Sequence, residues 1–147
     1  LSENETMRVH YNLAVAYDFI LGNSAGARRH YEAVLRFYEQ QKKDRSPDGN
    51  IQYLLDDEIE IYLALGRIFF ERGNYVQAID RFAPVAAMKP TAANTASLST
   101  AALGMGQCFL ALGDFGRANH CFQQALAADP KLAARINDLQ KGAPLRM

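Results

Sequence analysis

The chain of 147 residues is long enough for one domain of ordinary size with its own hydrophobic core. Its apolar content of 49% is typical of a folded protein, and its formal net charge of zero argues against a general nucleic-acid binder, which needs an excess of Lys and Arg. No uninterrupted apolar run reaches the roughly 18 residues of a membrane span, and two cysteines are too few for a disulfide scaffold.

Apolar residues recur at helical spacing along the chain, with clusters of turn-forming residues between them. The pattern predicts seven helices, near residues 3–20, 25–42, 51–72, 75–88, 94–112, 115–128 and 131–141. Ser2 and Glu5 have the spacing of a capping box at the start of the first helix. Residues 44–50 combine Asp, Ser, Pro, Gly and Asn, and therefore predict an exposed loop between the second and third helices.

Two of the predicted helix pairs are joined by a glycine that is followed directly by a capping residue. Gly73 precedes Asn74, and Gly113 precedes Asp114. Glycine readily takes the positive φ that ends a helix, and an Asn or Asp side chain caps the helix that follows. These turns therefore predict antiparallel helices joined by very few residues.

The second half of the chain contains an internal repeat. Residues 62–75 match residues 102–115, and the match continues through three aligned pairs: Ala78 with Ala118, Phe82 with Phe122, and Pro90 with Pro130. Together these positions resemble the tetratricopeptide repeat family. Its pattern places Leu-Gly and an aromatic residue on a first helix, then a small residue, an aromatic residue and a final proline on a second. The distances from Gly66 to Pro90 and from Gly106 to Pro130 agree with the family's repeat of about 34 residues.

The resemblance implies an all-α fold, an α-solenoid of about three tetratricopeptide-type helix-turn-helix repeats plus a C-terminal capping helix. We expect one domain over residues 1–147, with repeats at about 59–92 and 99–132, a looser copy at about 7–42, and the capping helix at about 131–141. The alternative for that last helix is the first helix of a further repeat. The turn glycines are farther apart than one family repeat, which favours helices longer than the family norm. Because the chain begins with Leu1, we also expect it to be part of a longer protein.

Small residues in each copy are expected to allow close helix packing. Gly66 with Ala78, and Gly106 with Ala118, would let the two helices of one repeat touch. The aromatic residues that fill the space between layers would be Phe69, Phe82, Phe109 and Phe122. Pro84 lies inside the predicted helix 75–88 and lacks a backbone donor, so we expect a kink or an early helix end there.

A search for catalytic groups finds none, so we predict no enzyme activity, no cofactor and no metal. His10, His30 and His120 are isolated in the sequence, and we expect structural or surface roles for them. The acidic run 56–60 is interpreted as a solvated face near a helix start in preference to a cation site. The two cysteines, Cys108 and Cys121, are expected to be reduced and packed as small hydrophobic residues in an intracellular compartment, cytoplasmic in preference to nuclear.

The resemblance also implies a function, because the first helices of such repeats line the concave face that contacts partners. We expect a protein–protein interaction module or scaffold that binds a peptide or helix of another protein. The candidate contact residues are Tyr11, Asn12, Leu63, Arg67, Phe70, Leu103, Gln107 and Leu110. The alternatives are a structural segment of a larger helical-repeat protein or a self-association element.

The basic residues with which some family members grip a chaperone's C-terminal carboxylate are missing. The corresponding positions are Tyr11, Val15, Ala64, Thr100 and Gly104, so we expect no such binding. What remains at these first helices is an apolar stripe, formed by Leu63, Phe70, Leu103 and Leu110. Such a stripe suits an amphipathic helix or an extended apolar peptide. The alternative, of equal weight, is that these residues pack on missing repeats or on the chain's own flanking segments.

Overall fold

A computed structural model of the chain describes residues 2–46, 48 and 53–142. Within these ranges the structure contains only helices and the connections between them, which confirms the all-α prediction. The helices are α1 (Glu3–Phe19), α2 (Ser24–Arg45), α3 (Asp56–Glu71), α4 (Tyr75–Ala86), α5 (Thr95–Ala111), α6 (Phe115–Ala128) and α7 (Ala133–Gly142), with a short 3-10 turn at Pro130–Leu132.

The contacts group the chain into two compact units, Leu1–Ile61 and Tyr62–Met147, here called unit 1 and unit 2. Unit 1 contains α1, α2 and the first part of α3. Unit 2 contains the rest of α3 and the helices that follow. The boundary falls inside one continuous helix, so the single domain expected over residues 1–147 stays a prediction.

The turns between paired helices follow the sequence pattern closely. Gly22, Gly73 and Gly113 have φ of 63°, 78° and 80°, as expected for glycines that end helices. The Asp114 carboxylate accepts a hydrogen bond from the Arg117 amide at 3.1 Å and so caps α6. Asn74 occupies the equivalent position before α4, but its side chain makes no cap hydrogen bond, so that part of the prediction was wrong.

The turn after α1 is wider than the other two. The amide of Asn74 donates to the Phe69 carbonyl, and that of Asp114 donates to the Phe109 carbonyl, each five residues back. The Asn23 amide reaches six residues back, to the Tyr17 carbonyl, at 2.8 Å. The additional residue in the first copy is therefore absorbed at the end of α1.

The start of α3 differs from the prediction. The helix begins at Asp56 instead of residue 51, and residues 53–55 are not helical. The reason is a side-chain cap, because the Glu58 carboxylate accepts a hydrogen bond from the Leu55 amide at 3.1 Å. The expectation of long helices holds for α2, which has 22 residues, while α3 has 16. Of the loop expected at 44–50, residues 44 and 45 belong to the last turn of α2, so the loop begins later than predicted, and residues 47, 49 and 50 lie outside the described residues.

Glycines in unit 2 make room for phenyl rings. A Cβ atom built on Gly66 would lie 2.5 Å from the Phe82 ring, and one built on Gly106 would lie 2.5 Å from the Phe122 ring. Real Cβ atoms do not approach so closely, so glycine is required at both positions. Phe82 and Phe122 are 5% and 0% exposed, which places these contacts in the core.

Two sequence features near helix ends have structural counterparts. Pro84 lies in the last turn of α4, which ends at Ala86, two residues before the predicted end. The C-terminal helix α7 is preceded by the 3-10 turn, and its Ile136 is 2% exposed. The role of α7 as a capping helix stays a prediction, with the first helix of a further repeat as the alternative.

Candidate protein-interaction faces

Three of the predicted contact residues share one face of α3 in unit 2. Leu63, Arg67 and Phe70 are spaced as i, i+4 and i+7, and each is half-buried. The Arg67 guanidinium lies 3.7 Å from the Glu71 carboxylate, one turn further along the helix. The Phe70 ring meets the Tyr75 ring edge to face, with centroids 5.6 Å apart. This face therefore combines apolar surface with a partly exposed positive charge.

The corresponding face of α5 is more buried than the sequence indicates. Leu103 is 6% exposed and belongs to a core cluster with Phe122 and Ile136 of α7. Leu110 is partly buried and packs against the same cluster, whereas Gln107 is half-buried on the surface. Leu103 thus packs on the chain's own C-terminal segment, the second of the two alternatives for the apolar stripe.

A single aromatic ring fixes α3 and α5 next to each other. The Phe82 ring of α4 has Gly66 of α3 at one edge and Gly104 of α5 at the other, where added Cβ atoms would lie 2.5 and 2.7 Å away. Arg67 directly follows Gly66, and Gln107 is three residues after Gly104, so these two half-buried residues are carried by neighbouring helices. Gly104 has no room for a Cβ atom, so a larger side chain at this position would displace the Phe82 ring.

The remaining two predicted contact residues belong to unit 1. Tyr11 is half-buried, and its hydroxyl donates a hydrogen bond of 3.0 Å to the Glu60 carboxylate. Burial, followed by the bond and charge of Glu60, raises the pKa of Tyr11 to about 12. Asn12 is exposed. Tyr11 therefore has a structural partner in its own unit, and only Asn12 presents its side chain to solvent.

The acidic start of α3 is only partly the solvated face that the sequence predicts: Asp56, Asp57 and Glu60 are exposed, whereas Glu58 is buried. Its side chain is 2% exposed, and its two carboxylate oxygens lie 2.6 and 2.8 Å from the Lys42 ammonium. Lys42 also donates to the Tyr53 carbonyl at 3.0 Å. The residues are too far apart in sequence for a helix-spacing rule to pair them. The ion pair therefore links the last turn of α2 to the first turn of α3.

A histidine pair was also missed in the sequence. The Nδ1 atoms of His10 on α1 and His30 on α2 are 2.9 Å apart, and the Tyr17 ring stacks on His30 with centroids 5.4 Å apart. Burial, then the nearby His10 and Arg29, lowers the pKa of His30. Residues at similar distances before and after a short turn between antiparallel helices come close together. The positions of His10 and His30 on either side of the turn at Gly22 could therefore have predicted the pair. The histidine pair provides a polar contact between α1 and α2.

The chemistry available to the thiols and possible metal ligands is limited. Cys108 and Cys121 are free and buried, and burial raises the pKa of the Cys108 thiol to about 12 and also that of Cys121. Thiols held protonated are poor nucleophiles. In the ranges that the structure describes, no three His, Cys, Asp or Glu side chains are grouped to hold a metal ion.

Paired antiparallel helices, the common geometry of the turns at Gly73 and Gly113, and glycine-to-phenyl packing define a helix-turn-helix repeat protein. The sequence profile described as Tetratricopeptide repeat matches residues 57–131, slightly more than half of the chain, so the chain belongs to the tetratricopeptide repeat family. This segment coincides with the two closely matched copies. No curated protein and no solved structure matches the chain. None of the described helices is both long and apolar enough to cross a membrane.

Proposed function

We propose that the chain is a protein–protein interaction module that binds a peptide or an amphipathic helix of a partner protein on the first-helix face of unit 2. Tetratricopeptide repeats are non-catalytic interaction repeats, which supports the general role. The contact residues would be Leu63, Arg67, Phe70 and Gln107, with Leu103 and Leu110 supporting them from beneath. A helix or extended apolar peptide with an acidic residue near Arg67 suits this surface.

The observation that carries the proposal is the arrangement around Phe82. The ring lies between Gly66 of α3 and Gly104 of α5, so the two helices that carry Arg67 and Gln107 are neighbours. These side chains are half-buried and are not part of the core cluster of unit 2. They offer a surface that is already ordered, which lowers the entropic cost of binding.

The experiment is a selection of displayed peptides, amphipathic and extended, against the full chain. The tightest peptide is then measured by fluorescence polarisation. We expect Gln107→Arg and Arg67→Glu each to weaken its binding by about tenfold or more, because each changes charge and shape inside the face.

A matched control keeps this test specific. Gln123→Arg makes the same change at an exposed position of α6 and should leave binding within about twofold. Binding that is unchanged by both face substitutions would overturn the proposed face, and so would a control that weakens binding as much as they do. An acidic peptide with a free C-terminal carboxylate, as in chaperone tails, is expected not to compete, because the basic clamp is missing.

A further inference from the structure

Unit 1 has a groove of its own that the proposed binding face does not use. The cavity between α1 and α2 has a volume of about 340 Å³. Its lining includes Glu3, Met7, His10, Arg36, Phe37 and Asp44. Met7 and Phe37 are half-buried and form an apolar floor, whereas the three charged residues are exposed.

Apolar side chains continue from this groove along the outer surface of α1. Val9 and Leu13 are 46% and 39% exposed, and Ile20, directly after the helix, is 78% exposed. Their spacing places them in one stripe, on the side of α1 next to Thr6, which also lines the groove. These three exposed side chains add apolar area on the side of α1 next to the groove.

The charged residues divide the groove into two ends of opposite sign. Since α1 and α2 are antiparallel, Glu3 lies beside Asp44 at one end. Arg36 is eight residues before Asp44 on α2, about 12 Å away, and lies beside His10 at the other end. A two-fold rotation about the middle of the groove exchanges the ends. It places Arg36 of one copy against Asp44 and Glu3 of the other.

We propose that this groove is the interface of a symmetric homodimer, in which α1 and α2 of a second copy lie across it. The occupant follows from charge complementarity, because the groove is complementary to itself under the two-fold operation that most homodimers use. Both Arg36–Asp44 contacts form at once, around an apolar centre that contains Met7 and Phe37. The proposal is independent of the peptide-binding face in unit 2.

The size of the surface sets the expected affinity. The 17 residues of α1 span about 25 Å, and a face two helices wide buries on the order of 500 Å² per copy. The total of about 1,000 Å² is at the lower end for specific interfaces. The dimer is therefore weak and forms at micromolar to near-millimolar concentrations.

The test is sedimentation of the full chain between about 10 μM and about 1 mM, where a dimer of this size changes from minor to dominant. We expect Arg36→Asp and Asp44→Arg each to weaken self-association by about tenfold or more, because each makes both contacts repulsive. An equimolar mixture of the two variants should recover dimer. In the mixed pair one contact has the native charges and the other has them exchanged.

Recovery in the mixture separates a lost interface from a misfolded chain, since two misfolded variants cannot restore each other. Glu39→Arg, an exposed charge reversal on α2 outside the groove, should leave the dimer unchanged. A chain that stays monomeric throughout overturns the proposal. Loss of dimer in both variants without recovery on mixing also overturns it.

Discussion

At the residue scale, the burial of Glu58 is a feature that local sequence rules do not predict. Three consecutive acidic residues at a helix start indicate solvation, and the sequence contains nothing to separate Glu58 from its neighbours. The structure buries it because Lys42 arrives from the end of α2 and because Leu55 needs an acceptor for its amide. A contact between residues 16 apart depends on how two helices meet, and that information is not local.

Removal of the Glu58 carboxylate should therefore be costly. Glu58→Ala leaves Lys42 half-buried without its partner and removes the cap of α3, so we expect a loss of about 2–4 kcal/mol in the free energy of unfolding. Urea denaturation followed by circular dichroism measures this change. The control is Glu71→Ala, whose side chain is 59% exposed and pairs with Arg67, and it should cost less than about 0.5 kcal/mol. Equal costs for both substitutions would show that burial of the Glu58 pair contributes nothing.

At the element scale, the helices were largely predictable because each carries its own signals. Period, glycine turns and caps lie within a few residues of one another, and the bounds of α5 and α6 agree with the prediction to within one residue. The start of α3 was not predictable, because apolar residues at 51–55 continue the helical spacing while the Glu58 cap sets the boundary. The sequence also indicated that Gly66 and Gly106 allow close packing, but it did not show that they contact the Phe82 and Phe122 rings.

Replacing a glycine inside a helix by alanine can raise or lower the stability of the fold, depending on which atoms the new Cβ would contact. Replacement of a helical glycine by alanine ordinarily stabilises by up to about 1 kcal/mol. Gly104→Ala should instead destabilise unit 2 by about 1–3 kcal/mol, because its Cβ would lie 2.7 Å from the Phe82 ring. Gly116→Ala in α6 meets only the Asp114 carboxylate, at 3.9 Å, and should be neutral or stabilising. Thermal unfolding of the two variants in parallel tests the contrast, and an unharmed Gly104→Ala protein would contradict the packing around Phe82.

At the scale of the whole molecule, each of the two units is stabilised internally by a different kind of interaction. In unit 1 several polar contacts join side chains from different helices, among them Lys42–Glu58, Tyr11–Glu60 and His10–His30. In unit 2 the core cluster and the glycine-to-phenyl contacts are apolar. The family pattern describes the second kind of packing, which explains why the sequence predicted more about unit 2. Of the candidate site, the common side of α3 shared by Leu63, Arg67 and Phe70 follows from helical spacing, and its role in binding stays a prediction. The burial of Leu103 depends on α7, a helix outside the matched segment.

This difference predicts that acid weakens unit 1 selectively. The pKa of His30 is lowered from its ordinary value of 6.5 in the folded chain by burial and by His10 and Arg29, so the unfolded chain binds more protons in this range. The stability that His30 contributes is complete above about pH 6.5 and is lost as the pH falls towards the folded pKa. Hydrogen exchange at low protein concentration, corrected for the intrinsic pH effect, should show amide protection in α1 and α2 falling between pH 7.5 and pH 5.5. Protection in α5 and α6 should change less. His30→Gln should remove the selective loss, whereas the exposed His120→Gln should retain it, and equal losses in both units would contradict a role for the histidine pair.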